Sequence, residues 1–215
     1  MRHLVVTGGT GGLGKAIATA FSGPDWTVAA PGSAALDVTD PSAISRFFAE
    51  RPVDLLVCAA GMSRDGVLGR LSETDWDAVM AVNFTGSAAC AKAVIPGMIG
   101  QGSGHIVFIS SHAALHPPVG ISAYATAKAA LLGLTRELAD RHGRQGIRVN
   151  AILPGFLETR MTRDVPPQRR EAALAEHCLG AFNTPAAVAD FIRFLHERLP
   201  HTSGQVFQLD SRPAP

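Results

Sequence analysis

Cysteine is scarce in this sequence and odd in number. Cys58, Cys90 and Cys178 are the 3 in 215 residues, and their spacing suits no metal finger. No signal peptide precedes the first strand-like run, so a reduced cytoplasm is the expected compartment. His112 and His116 stand four apart, but no third ligand accompanies them at a ligand-like spacing, and no metal is expected. Charge excess is missing as well. Lys+Arg number 19 against 18 Asp+Glu, a formal net charge of +1, which leaves no bulk attraction to nucleic acid or to an anionic membrane. Gly, Pro or a charge interrupts every apolar run before bilayer length, so no membrane span is expected. No repeat, linker or low-complexity block is visible, and the 22 Gly and 14 Pro follow no collagen-like period. What is present is 47% hydrophobic and 17% charged residues with a mean hydropathy of +0.17. That composition suits a globular chain, and the length suits one domain, residues 1–215, around one core.

Six short apolar runs read as strands: His3–Thr7, Thr27–Ala30, Val53–Ala59, His105–Ser110, Ile147–Ile152 and Gln205–Leu209. Helical periodicity lies between most of them, over Gly12–Ser22, Pro41–Arg51, Ser72–Ile99, Ala123–His142 and Pro185–Leu199, with Pro96 marking the place for a break in the third. Alternating strands and helices imply a parallel sheet. One interval is too short. Only Pro31–Ala34 separates the second strand from the apolar pair Ala35–Leu36, whereas a parallel crossover needs about a dozen residues or more.

Thr7-Gly-Gly-Thr-Gly-Gly-Leu-Gly14 sits between the first strand and the first helix. Missing side chains there let backbone approach a pyrophosphate, and the free N–H groups and dipole of the helix start favour its charge. Gly8, Thr10, Gly12, Leu13 and Gly14 are the binding candidates. The expected fold is therefore α/β, a Rossmann-like doubly wound parallel sheet whose outer strand and crossover helix are missing or vestigial. The T-G-x-x-x-G-x-G spacing resembles the short-chain dehydrogenase/reductase family, classical type.

Further along, Tyr124 and Lys128 are i, i+4 at the start of a helix, a spacing that puts both on one face. The same spacing suits an ordinary amphipathic helix. Tyr124 is the only tyrosine, however, and Ser111, at the end of a strand, lies 13 residues upstream as in the family. The resemblance implies a tyrosine that passes the proton, Lys128 that lowers its pKa and holds the ribose, and Ser111 that steadies the carbonyl. It implies that Asn83, at a helix kink, completes a proton relay; a helix asparagine bonded to backbone is the plainer reading. Pro154-Gly-Phe-Leu-Glu-Thr159 resembles the segment beside the nicotinamide, with Pro154, Gly155, Leu157 and Thr159 as its cofactor candidates. A strand-ending turn reads the same Pro-Gly equally well. Likeness runs from Leu4 to Asp210.

Departures bear on the cofactor. Where the family has Asn-Asn-Ala-Gly, this chain has Cys58-Ala-Ala60-Gly61; Ala60 and Gly61 still suit a close approach to the adenosine ribose, and Cys58 reads as core. The second strand ends in Ala29-Ala-Pro-Gly-Ser33 without the carboxylate of an NAD site. NADP(H) is therefore preferred over NAD(H), with Ser33 as a candidate phosphate ligand, although Gly11 replaces the usual arginine. Asp37 and Val38 resemble the family's adenine contact, and Asp37 also suits helix entry.

The segment from Met161 to Phe182 lies where the family carries its variable lid, and it looks most like that of 3-oxoacyl-acyl-carrier-protein reductases. Arg160, Arg163, Arg169 and Arg170 are candidates for the phosphates of a pantetheine arm or for acyl carrier protein, or form a solvated face. The expected activity is a ketoreductase acting on a 3-oxoacyl thioester in fatty-acid or polyketide-type metabolism. The alternatives are a dehydrogenase of a small ring or sugar-like substrate and a non-catalytic nucleotide-binding regulator. A homodimer or homotetramer through the two long helices is the expected assembly.

Overall fold

The computed structural model describes residues 1–213. Its strands are β1 (Arg2–Thr7), β2 (Trp26–Ala29), β3 (Leu55–Cys58), β4 (Gly104–Ile109), β5 (Ile147–Leu153) and β6 (Val206–Gln208). They form one six-stranded sheet in the order β2-β1-β3-β4-β5-β6, every pair parallel. The chain steps outward from β1 to β2 and returns to β3 on the other side of β1, so the switch point, where such sheets open a crevice, lies between β1 and β3.

Both faces of the sheet are covered, because neighbouring residues on each strand point to opposite sides. Leu4, Val6, Leu55, Val57 and Val107 pack with α1 (Gly12–Ala20) and α7 (Pro185–Arg198). Val5, Leu56, Cys58, Ile106 and Phe108 pack on the other side with α2 (Pro41–Phe48), α4 (Gly86–Gln101) and α5 (Ser122–His142). Local chemistry sets the helix starts. Asp40 accepts from the Ser42 N–H ahead of Pro41, and Thr184 accepts from the Ala187 N–H ahead of Pro185.

The outer strand is absent, as the short interval predicts. After Ala29 the chain runs through turns to α2, with Leu36 and Val38 tucked into the core and β2 left as the sheet edge. The position of the helix break differs from expectation. α4 continues through Pro96 to Gln101. Pro96 is exposed, so the missing backbone bond falls on the solvent side. The irregularity lies earlier, in a π-helical turn over Ala81–Thr85 that joins α3 (Glu73–Met80) to α4. The expectation about apolar runs is also corrected. Glu73–Gln101 spans 29 residues and contains a window of mean hydropathy 1.4, long and apolar enough to cross a bilayer by length and composition. Its Cys90, Ala91, Val94 and Met98 are committed instead to the core against the sheet.

At the amino-terminal edge of the sheet His105 is wholly buried. Its Nε2 accepts from Asn150 Nδ2 at 3.1 Å, and its Nδ1 lies 3.3 Å from Nδ1 of His196. Arg148 donates to the carbonyls of Leu195, His196 and Leu199 alongside. Burial, reinforced by the Arg148 charge, holds His105 well below the usual imidazole range and pushes His196 down to about 4. Both rings are neutral in the fold, while the unfolded chain binds protons near 6.5. Stability is therefore complete above about pH 6.5 and falls as the pH drops toward 4. Calorimetry between pH 7 and 4 is expected to show a falling Tm, with a shallower slope in His196→Gln, which keeps a polar partner but does not titrate.

Candidate active site

The glycine turn is shaped by contacts that admit no side chain. A Cβ on Gly9 would sit 2.3 Å from the carbonyl of Ala30, and one on Gly14 would sit 2.4 Å from the Gly8 oxygen. Gly8 adopts φ +68° with its backbone against Ala60. Its carbonyl accepts from the Gly11 N–H, folding the turn. Gly11 caps α1 without any side-chain bond, so the first N–H groups of the helix have no intrahelical acceptor. Thr10 is exposed above Gly32, and Leu13 packs beneath with the α1–α7 core. A cradle of bare backbone at a helix start fits a dinucleotide pyrophosphate.

On the adenine side, Ser33 is exposed and Val38 is buried. Oδ1 of Asp37 accepts from the Thr39 N–H and hydroxyl, at 2.8 and 2.7 Å, and these bonds hold its carboxyl below the usual range. Ala60 and Gly61 run past the end of β1, where the Thr7 hydroxyl accepts from the Ala60 N–H at 3.2 Å. Cys58 is core, as expected, and burial pushes its thiol well up; burial raises Cys90 to about 12.

Ser111, Tyr124 and Lys128 come together at the carboxyl end of β4. The two serines there divide their roles. Ser110 donates to the Lys128 carbonyl at 2.7 Å and pins α5, while Ser111 caps the turn His112–Ala114 and turns its hydroxyl toward the Tyr124 phenol. Lys128 is buried, its Nζ donating to the Ile109 carbonyl at 2.8 Å and lying 5.6 Å from the centre of the Tyr124 ring. Burial lowers its pKa to about 8. For Tyr124 the expectation of a lysine-depressed phenol is corrected: burial raises its pKa, and the nearby Ser111 hydroxyl opposes that only in part.

Asn83 sits inside the π-helical turn and is fully buried. Its Nδ2 donates to the carbonyls of Met62 and Val79, at 2.8 and 2.9 Å, and its Oδ1 faces Gly61, where a Cβ would approach to 3.0 Å. Nζ of Lys128 would lie 3.7 Å from that same Cβ, so Asn83, Gly61 and Lys128 meet at one point. The plainer reading of this asparagine, bonded to backbone, is what the structure shows, and its side chain also stands beside Gly61 and Lys128. His112 and His116 stack at 4.6 Å, with no group of metal ligands among the described residues.

The loop after β5 closes the arrangement. Gly155 takes φ +83°, Leu157 is buried, and the Thr159 methyl lies against Gly12 of the phosphate turn. Behind it comes α6 (Pro167–Ala175), a helix not recognised in the sequence. Two of the four lid arginines are engaged within the fold. Arg169 donates to the Val119 carbonyl at 2.8 Å and faces Asp65, and Arg170 pairs with Glu158. Arg160 and Arg163 are exposed and pair with no carboxylate among the described residues. Sequence reasoning also missed the buried ion pair of Asp210 and Arg212 beneath Gly155. A lone Asp-x-Arg near a chain end carries no pattern that marks it.

A doubly wound sheet with a glycine cradle at β1 and a serine, tyrosine and lysine converging beside it defines a dinucleotide-dependent oxidoreductase. The short chain dehydrogenase family model matches residues 31–170, and the chain belongs to that family, with its NAD(P) dependence. It is 36% identical to the 3-oxoacyl-[acyl-carrier-protein] reductase of Thermotoga maritima, over 96% of this chain and 95% of the relative. It is 33% identical to the (3R)-3-hydroxyacyl-CoA dehydrogenase of Canis lupus familiaris, over 89% and 87%. A crystal structure assigned as an NAD(P)-dependent gluconate 5-dehydrogenase from Beutenbergia cavernae, with NADP at low occupancy, superposes with a TM-score of 0.92 at 28% identity, covering 98% and 95% of the two chains.

Two substitutions test the site as built. Gly14→Ala drives a methyl into the Gly8 carbonyl and is expected to weaken NADPH binding at least tenfold in a fluorescence titration. Asn83→Ala strands two buried carbonyls and is expected to lower unfolding free energy by about 2–4 kcal/mol in urea.

Proposed function

We propose that this protein is an NADPH-dependent ketoreductase that reduces the keto group of a 3-oxoacyl thioester, carried on acyl carrier protein or CoA, in fatty-acid or polyketide-type metabolism. One observation carries the reading. Ser111, Tyr124 and Lys128 converge beside the lid, where the exposed Met161 reaches to 3.7 Å from a Cβ built on Gly61, the same point that Lys128 Nζ approaches to 3.7 Å, with the exposed Arg160 next to it in the chain and Arg163 two residues on. An apolar and cationic mouth suits an acyl chain on a phosphate-bearing arm. The similarity to 3-oxoacyl and 3-hydroxyacyl enzymes supports the same chemistry.

When bound, the cofactor supplies the hydride that reaches the carbonyl carbon. The protein supplies the rest. Ser111 donates a hydrogen bond to the carbonyl oxygen, and Tyr124 gives that oxygen its proton. The Lys128 ammonium would stabilise the phenolate left once the proton has moved, and would hold the ribose. Asn83 holds the relay end of the site. Preference for NADP rests on the end of β2. No carboxylate stands there, the Gly32 carbonyl accepts from the Ala35 and Leu36 N–H groups to close a turn, and the Ser33 hydroxyl lies exposed on it. The three free thiols fit a reducing cytoplasm. A groove between α4 and α5, lined by Ala88, Lys92, Ile95, Pro96, Leu134 and Leu138, suits a second copy in a homodimer or homotetramer. A second reading, a dehydrogenase of a polyol or sugar-like substrate, is favoured by the gluconate-dehydrogenase structure.

Purified protein with acetoacetyl-CoA is expected to oxidise NADPH faster than NADH, and Tyr124→Phe to lower the rate by at least about 10²-fold with cofactor affinity kept. Turnover of a polyol with NAD or NADP, and none of the thioester, would establish the second reading. Lys128 is charged below about pH 8 and neutral above it. The value of kcat/KM is therefore expected to fall as pH rises through 8. Light scattering at micromolar concentration is expected to give a dimer or tetramer; a monomer would refute the assembly.

A further inference from the structure

The geometry points to Asp210 as a positioning residue that holds the cofactor-side loop Pro154–Thr159 and the base of the lid in one arrangement. Asp210 follows the last strand, and its side chain is wholly inaccessible. A Cβ on Gly155 would lie 2.6 Å from the Asp210 Cβ and 2.9 Å from its Oδ2, so the loop backbone rests directly on this carboxylate. The far end of that loop, Thr159, touches Gly12 of the phosphate turn. Asp210 therefore reaches the cradle through the loop Gly155–Thr159.

The carboxylate is itself fixed. Nε of Arg212 donates to Oδ2 at 2.8 Å and its NH2 bonds the same atom, while Gln208 Nε2 donates to Oδ1 at 2.8 Å. The lid base joins the same strand end. Cys178 N–H donates to the Ser211 carbonyl at 3.1 Å, and Asn183 Nδ2 bridges the carbonyls of Pro154 and Leu209, at 3.1 and 2.8 Å. His177, buried and donating to Ala173 through Nδ1, places an Nε2 without a hydrogen-bond partner 3.7 Å from Asp210 Oδ2. Glu176 faces Arg212 at 3.5 Å from the outside, and His112, next to Ser111, feels both Arg212 and Asp210. Loop, lid and catalytic turn thus share one buried carboxylate. A buried ion pair is costly unless its geometry is held, and here Arg212 and Gln208 hold the carboxylate while the cofactor-side loop, through Gly155, and the lid base, through His177, pack against it.

The inference rests on cofactor binding in the glycine cradle and is independent of the thioester reading, because its test uses no carbonyl substrate. NADPH and NADH are titrated by fluorescence into wild type, Asp210→Asn, Arg212→Gln and the double variant, with thermal melts of each. Asp210→Asn keeps the volume but turns an amide donor toward the guanidinium. It is expected to raise both dissociation constants about tenfold with little change in Tm, and to speed proteolytic nicking of the lid. The double variant sets two side-chain amides against each other, restores a neutral donor–acceptor match and is expected to recover most of the affinity. Glu171→Gln, an exposed lid residue that pairs with no group of the clamp, is the control. Wild-type affinity in Asp210→Asn, or a loss that the double variant does not recover and that merely follows Tm, would overturn the proposal. Should Asp210→Asn fail to fold, Arg212→Gln against the double variant carries the same comparison.

Discussion

Parallel strands buried on both faces leave the backbone free only where strands end. In this sheet β1, β3, β4 and β5 are flanked mostly by apolar side chains on each side, and the buried His105 and Asn150 at the opposite edge are kept by bonding to each other and to their neighbours. The carboxyl edge escapes that constraint. The phosphate turn follows β1, the Ala60–Gly61 segment follows β3, Ser111 follows β4 and Pro154–Gly155 follows β5. Parallel register brings these four ends to one rim, and every functional group considered above is tied to it.

Burial at the rim is also what sets the chemistry. Lys128 reaches the site from α5 with its ammonium on a single backbone carbonyl, and desolvation moves its proton affinity toward neutrality. The same desolvation makes the Tyr124 phenol hold its proton more firmly. An acid that retains its proton beside an ammonium that releases one is suited to donate as an oxygen develops charge. Asn83 locks this geometry. The π turn rotates its side chain off the regular helix surface and onto Met62 and Val79.

The truncated adenine side shows how far a fold can lose parts without losing its crevice. The switch point needs β1 and β3 with their turns, and these are intact. Leu36 and Val38 fill the core space over α4, with Val38 against Gly86.

Much of this was legible in the chain because it depends on local order. Strand and helix alternation, the glycine turn, the i, i+4 pair Tyr124 and Lys128, and the short Pro31–Ala34 interval are all consequences of spacing along the backbone. Residue order alone therefore specified the parallel α/β class and the missing outer strand, and the resemblance to the family singled out the catalytic candidates. Folding in three dimensions was needed to set the direction of the Tyr124 and Lys128 shifts, the division between Ser110 and Ser111, the π turn in place of a break at Pro96 and the Asp210 clamp. Each of these arises from desolvation or from contacts between residues distant in sequence, which periodicity and motif spacing do not encode.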